Sequence, residues 1–244
     1  KGLAIGHNLK TKVIEPEIYP LAIQGPMAEN LMTDVFGNEI RKINYFKFKK
    51  FKLLGQKHII SRSGYSKQGG FEIFFAGFDL GENLWKLIWD AGKKYNLMPG
   101  CPNLIERIEG GLLSYGNEFT RNNNPIECNF EKFIPFNSKH KYIGKSALIE
   151  IRDNGVKQKI RGVLFDGDPC PVCSEPFPVF SKKGEMVGQI TSGIYSPYFK
   201  KNIGLSMIKK DHWNIGNEII VKTPDKIERL GIISCLPFKL NKNK

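Results

Sequence analysis

Apolar and polar positions alternate at period two in several short stretches of this chain and at the helical period in a few longer ones. His58-Ile59-Ile60 reads as an apolar strand leading into Ser61–Phe74. There Gly64 and the pair Gly69-Gly70 punctuate a polar turn, and Phe71-Glu72-Ile73-Phe74 resumes as a second strand. Alternation takes Glu72 off the face shared by Phe71 and Ile73 and puts it on that of Phe74. Consecutive glycines beside a carboxylate suggest a close approach of backbone to something else. An ordinary hairpin with a solvated glutamate has the same pattern.

Upstream, Leu21-Ala22-Ile23 is a short strand ended by Gln24-Gly25-Pro26. Pro26 suits the first helical position, Met27–Phe36 follows with Leu31 and Val35 four apart, and Gly37-Asn38 stops that helix. The run Arg41–Lys52 alternates phenylalanine with lysine, which predicts a half-buried strand whose lysine-coated outer face discourages edge pairing. Asn83–Asn96 is an amphipathic helix with Leu84, Leu87, Ile88 and Ala91 as its core stripe. Trp85 and Trp89, four apart, extend one face of it as a packing surface or a ligand platform. Pro99-Gly100-Cys101-Pro102 breaks the chain before a further helix, Asn103–Leu113. After the turn-rich Asn122-Asn123-Asn124-Pro125 the texture changes. Short strands separated by glycine and proline turns are predicted at Lys159–Phe165, Val187–Thr191, Ile203–Ile208, Glu218–Val221 and Leu230–Cys235, as in a small antiparallel barrel or sandwich. We place a boundary near Ser138, giving domains 1–138 and 139–244.

At 244 residues the chain can bury a proper core, and its apolar and charged fractions are those of a globular protein. No apolar run has the length of a membrane span and no signal pattern opens the chain, so no membrane partner is expected. Lys1-Gly2-Leu3-Ala4-Ile5-Gly6 reads like the interior of a domain, and we expect a segment before it. The formal charge of +13 invites a nucleic-acid partner, but the lysines are spread throughout and no aromatic-plus-basic signature or metal-knuckle spacing accompanies them. None is expected. Five cysteines are an odd number without disulfide-scaffold density, which fits a reducing cytoplasm. Cys170-Pro171-Val172-Cys173 is a lone C-x-x-C, and His7, His58, His140 and His212 supply no second ligand pair for zinc. We read these as loop cysteines and expect no metal. Oligomeric state stays open, a homodimer included.

Six blocks, in order, resemble the folate-dependent aminomethyltransferase family, to which the T-protein of the glycine cleavage system belongs. Ala22–Ala28 is similar to its A-[VI]-Q-G-P-x-A run. Arg62–Ile73 is similar to R-[ST]-G-[YW]-x-x-x-x-G-[FV]-E-[IL]. Arg107, Glu109, Tyr115 and Gly116 match L-R-L-E-A-G-x-x-L-Y-G-[NQ]-D, with Gly110-Gly111 in place of Ala-Gly. Ile126-Glu127-Cys128 looks like T-P-x-E-[AC], and Lys141–Leu148 looks like F-I-G-[KR]-x-x-L. Thr191–Pro197 then resembles the T-S-G-x-x-S-P loop. The resemblance implies an α+β fold of the T-protein kind, a folate-binding portion followed by a small C-terminal antiparallel β-barrel. It also implies tetrahydrofolate as cosubstrate, which a basic surface would favour in its polyglutamylated form.

Carried over by position, Glu72 is the glutamate that accepts hydrogen bonds from the pterin ring, and Tyr65 is the aromatic of that signature. Phe74, Arg107, Tyr115 and Tyr195 are further candidates for the folate and substrate site. Two departures separate branches of the family. Pro102-Asn103-Leu104 stands where the glycine-cleavage enzymes have A-R-D, and Ser66-Lys67-Gln68-Gly69-Gly70 stands where they have T-G-E-D-G. Both stretches instead resemble the branch, found in marine bacteria, that demethylates the sulfonium dimethylsulfoniopropionate. That branch implies methyl transfer to N5 of tetrahydrofolate by positioning, with no acid or base assigned. An aminomethyltransferase of glycine cleavage and a folate-binding module without catalysis are the alternatives.

Overall fold

The computed structural model describes residues 1–77, 79–101 and 103–239. Contacts divide the chain after Cys101 into two compact units.

The first unit opens with a short exposed helix, α1 (Gly2–Gly6), and continues through β1 (Ile18–Gln24), α2 (Ala28–Phe36), β2 (Phe48–Leu53), β3 (Gln56–Ser61), β4 (Gly70–Ala76) and α3 (Asp79–Gly92). The strands form an antiparallel sheet in the order β1-β4-β3-β2. Its central strand β4 pairs with β1 from Ile18↔Ala76 to Gln24↔Gly70 and with β3 from Ile59↔Phe74 to Ser61↔Glu72. The expected hairpin is therefore present, and its alternation holds: Phe71, Ile73 and Phe75 are buried while Glu72 and Phe74 are half-buried on the other face. Leu31 and Met32 of α2 and Leu84 and Ile88 of α3 complete this core.

Two local expectations change. Helix α2 starts at Ala28 with Met27 as its cap, so Pro26 stands just before the helix. The run Arg41–Lys52 is not one strand. Asn38–Lys42 is a 3-10 turn, Phe46 takes a left-handed φ of 58°, and the chain joins the sheet only at Phe48. Ile40 and Ile43 are the cause: three apart and both buried, they need a helical turn that alternation cannot provide. What remains, β2, is an edge strand whose Lys49, Lys50 and Lys52 are exposed, as expected of a protected edge. Trp85 and Trp89 lie on one face of α3, as their spacing predicts. They stack on each other, ring centroids 6.2 Å apart with planes at 8°, and Trp85 is exposed.

The second unit begins with α4 (Leu104–Glu109), capped by the Asn103 side chain, which accepts the Ile105 amide at 2.9 Å. It is shorter than the expected Asn103–Leu113 because the chain turns at Gly110 and Gly111, the latter with a φ of 63°. After α5 (Lys145–Asn154) come β5 (Gln158–Phe165), β6 (Phe177–Phe180), β7 (Met186–Ser196), β8 (Lys201–Lys209), β9 (Glu218–Lys222) and β10 (Glu228–Ser234). They close an antiparallel barrel in the order β10-β5-β8-β7-β6-β9. The strand unread in the sequence, β6, is what permits closure, since it pairs with both β7 and β9. Val163, Phe165, Phe177, Val179 and Ile190 fill the interior.

Thr191-Ser192-Gly193, which opens the stretch resembling the family's T-S-G-x-x-S-P loop, does not form a turn. It lies inside β7, where the pairing with β8 slips between Ile190↔Ser206 and Ser192↔Leu205. The bulge inserts one residue and so re-aims those that follow. Ser192 and Ser196 are thereby buried against the segment containing α4, which packs on β7 and β8 through Ile108.

The glycines of the hairpin turn offer a graded test. Gly69 has a φ of 79° and nothing within 4 Å of a built Cβ, whereas at Gly70, φ 145°, a Cβ would lie 2.2 Å from the Ile23 carbonyl oxygen. Gly69→Ala should cost about 1 kcal/mol in chemical denaturation, and Gly70→Ala at least about 2 kcal/mol more. Equal costs would contradict the close approach.

Candidate functional site

The signature turn of the first unit is built around Gln24, the last residue of β1. Its Nε2 donates to the carbonyls of Ser63 at 3.1 Å and Phe71 at 3.2 Å, so one amide ties both ends of the turn. Its Oε1 accepts the Ser66 hydroxyl at 2.8 Å. Gly64 lies against this side chain so tightly that a Cβ would come within 2.0 Å of Oε1. Across the turn, Arg62 pairs with Glu29 of α2 at 2.6 Å and lays its guanidinium 5.4 Å from the centroid of Phe71.

Inside this frame Glu72 is half-buried on β4. Its Oε2 accepts the hydroxyl of Ser63, which lies 2.5 Å from that of Ser61. Among the described residues, no hydrogen bond reaches Oε1. Phe74 stands two residues on, on the same face, and Tyr65 on the turn is 41% exposed. The structure thus combines Glu72 and Phe74 on one sheet face, as alternation requires, and presents a carboxylate with one oxygen held and the other available. Such a group suits a ligand edge that offers N–H donors. Gln24, Ser61 and Ser63 were not singled out in the sequence. The A-I-Q-G-P run and the alternation of Ser61 with Ser63 were the signals.

Arg107, Tyr115 and Tyr195 belong to the second unit. Arg107 is buried: its Nη1 donates to Glu118 at 2.9 Å and to the Leu112 carbonyl at 2.9 Å, and its Nη2 donates to Ser192 at 2.5 Å. Glu118, whose side chain is fully buried, also accepts the Ser114 amide at 2.6 Å and the Ser192 hydroxyl. A second clasp joins Glu109 to Ser196 at 2.6 Å. A buried charge is tolerated only when so completely partnered. Leu104, Arg107, Asn117, Cys173, Glu175 and Thr191 line a cleft of about 390 Å³ beside the clasp. Tyr115 is exposed and meets Phe119 edge-on at 5.6 Å, while Tyr195 is half-buried opposite Asn202. Among the described residues, no hydrogen bond or ring contact joins these three candidates to one another. Of the replaced A-R-D positions, Asn103 caps α4 and Leu104 is exposed, while Pro102 lies outside the described residues.

Cys170 and Cys173 sit on the loop between β5 and β6, as expected, and both are free. The loop is pinned by Asn202, which accepts the Cys170 amide at 2.8 Å, and by Arg229, which donates to the Asp168 carbonyl at 2.5 Å. Burial pushes the Cys170 thiol up to about 11 and raises that of Cys173 as well. No group of metal-ligating side chains forms among the described residues. No described helix is long and apolar enough to cross a membrane.

An antiparallel sheet carrying this glutamate hairpin, together with a six-stranded barrel, defines a class. The GCVT N-terminal domain matches residues 4–138, and the glycine cleavage T-protein C-terminal barrel domain matches residues 158–238. The chain belongs to the glycine cleavage T-protein, or aminomethyltransferase, family. It is 44% identical over 224 residues to dimethylsulfoniopropionate demethylase DmdA of Ruegeria pomeroyi, covering 92% of this chain and 60% of that protein. It is 34% identical over 242 residues to an aminomethyltransferase of a Thermoanaerobacter species, covering 98% of this chain and 64% of that protein. The crystal structure of glycine cleavage system aminomethyltransferase T from Bartonella henselae superposes with a TM-score of 0.80 at 21% identity, covering 98% of this chain and 64% of that one. That likeness concerns the fold. The chain therefore spans about three fifths of the length of these relatives.

Glu118→Ala leaves Arg107 buried without its partner and should cost about 3–5 kcal/mol, whereas Glu175→Ala on the exposed rim should stay within about 0.5 kcal/mol. Denaturant titration distinguishes them, and similar costs would refute the structural role of the clasp. A thiol raised from 9.0 to about 11 holds about a hundredfold less thiolate at pH 8. Alkylation at Cys170 should accordingly be slow and rise about tenfold per pH unit up to pH 11, as read by peptide mass spectrometry. Rapid labelling at pH 7 would contradict its burial.

Proposed function

We propose that the chain belongs to a tetrahydrofolate-dependent demethylase acting on dimethylsulfoniopropionate, with residues 1–138 in the folate-binding portion and 139–244 in the barrel portion. The observation that carries this reading is Glu72. It sits on a rigid central strand with Oε2 fixed by Ser63 and Oε1 open. The aminopyrimidine edge of a reduced pterin presents adjacent N–H donors, and a carboxylate so held accepts them without first having to be ordered. The side chains present therefore fit the cosubstrate. The 44% identity to a protein named for this demethylation supports the substrate.

In the proposed reaction, N5 of tetrahydrofolate takes one S-methyl group as the carbon–sulfur electron pair returns to sulfur and the N5 proton leaves to water, giving methylmercaptopropionate and 5-methyltetrahydrofolate. A sulfonium leaves as a neutral thioether, so these residues have mainly to position the partners. Glu72 would fix the pterin in its plane. Phe74 on the same face and Tyr65 on the turn would offer ring faces to the sulfonium, which attracts such surfaces and is destabilised when water is removed. Arg107, Tyr115 and Tyr195 remain proposed contacts for folate and substrate. Arg107 would act from within its pair with Glu118. The absence of both A-R-D charges at Asn103 and Leu104 favours this chemistry over glycine cleavage, where the resemblance assigns that arginine to the folate site.

The second reading, an aminomethyltransferase, is supported by relatives of that name aligned over 98% of the chain. The test incubates the protein with tetrahydrofolate and dimethylsulfoniopropionate carrying labelled S-methyl groups. Label should appear in 5-methyltetrahydrofolate, one equivalent per methylmercaptopropionate formed. Turnover of an aminomethylated lipoyl carrier protein, with release of ammonia and no reaction of the sulfonium, would replace this reading by the second. Folate binding without either reaction would leave a binding module.

A further inference from the structure

The hydrogen-bond polarity around Glu72 points beyond the carboxylate itself. A carboxylate only accepts, so the Ser63 hydroxyl must spend its one proton on Oε2. Toward Ser61, 2.5 Å away, Ser63 can then only accept, and the Ser61 hydroxyl must donate. The two protons are thus ordered in one direction, from Ser61 to Ser63 to Glu72. The backbone that carries these three side chains is fixed by other means. Ser61 is the cross-strand partner of Glu72, and the Ser63 carbonyl is held by Gln24 at 3.1 Å.

We propose that Ser63 is a positioning residue for folate recognition, acting through Glu72 and reinforced by Ser61. The proposal rests on the reading of Glu72 given above and extends it. A half-buried glutamate on a strand can rotate its carboxylate about the terminal torsion, which is broad and soft. A charge-assisted hydrogen bond from Ser63 to one oxygen arrests that rotation and leaves Oε1 facing the ligand. A donor already committed by Ser61 polarises the same bond further. Ser63 itself touches no ligand in this scheme.

Calorimetric titration with tetrahydrofolate of the wild type, Ser63→Ala, Ser63→Thr, Ser61→Ala, Glu72→Ala and the two serine-to-alanine changes in the Glu72→Ala background forms the test. Ser63→Ala should weaken binding about tenfold, and Ser61→Ala less, about two- to threefold. Ser63→Thr, which keeps the hydroxyl, should restore binding to within about twofold of wild type. In the Glu72→Ala background neither serine change should matter, because the group through which it acts is gone. A loss on Ser63→Ala that persists in that background, or no loss at all, overturns the proposal. If Ser63→Ala does not fold, the same comparison with Ser61→Ala decides, since Ser61 ends β3 and lies outside the turn. An unchanged affinity of Glu72→Ala, or a wild type that binds no tetrahydrofolate, marks failure of the underlying reading instead and takes the proposal with it.

Discussion

One side-chain amide organises the first unit. Gln24 ends β1, reaches across the sheet and donates to two carbonyls, Ser63 and Phe71, that bracket the signature turn. Two glycines make this reach possible, since a side chain at Gly64 or Gly70 would occupy the space of the Gln24 side chain or its backbone. With the ends of the turn fixed, Ser63 falls beside Glu72 and Arg62 falls beside Glu29. Orientation of the carboxylate is therefore a consequence of backbone geometry, set by a residue far away in sequence. A flexible polar loop would leave the same glutamate disordered and would charge its ordering to ligand binding.

The second unit solves a different problem with similar means. Its barrel must accept α4 against the outer faces of β7 and β8, where Ile108 supplies the apolar contact and two carboxylates are buried. Glu118 and Glu109 are tolerated there because Arg107, Ser192 and Ser196 answer them. The bulge at Thr191 is what brings those serines onto the required face. This makes the paired Arg107 and Glu118 a structural clasp first, and any contact of Arg107 with ligand has to be made from within it.

Where the sequence was legible, the reason was local. Strict alternation placed Glu72 and Phe74 together, the spacing of Leu84 and Ile88 marked the buried stripe of α3, and the motif blocks pointed to a barrel. Where it was not, a distant partner decided. The Phe–Lys run reads as a strand, but burial of Ile40 and Ile43 bends its first half into a turn. Ser192-Gly193 has turn composition, but pairing with β8 keeps it in a strand. Gln24 resembled a helix-preceding motif residue, and its bonds to positions some forty residues on have no signature in local pattern. Ser61 and Ser63 alternate as any strand-end serines do. Only the register with β4 gives them a shared neighbour.

Everything proposed for this chain turns on Glu72 as the carboxylate that would receive folate. Calorimetry of tetrahydrofolate binding to the Glu72→Ala protein, beside wild type, tests it most directly. Loss of a charge-assisted hydrogen bond to the ligand should weaken affinity by about 1.5–3 kcal/mol, roughly ten- to a hundredfold or more. An affinity unchanged by the substitution would contradict the account.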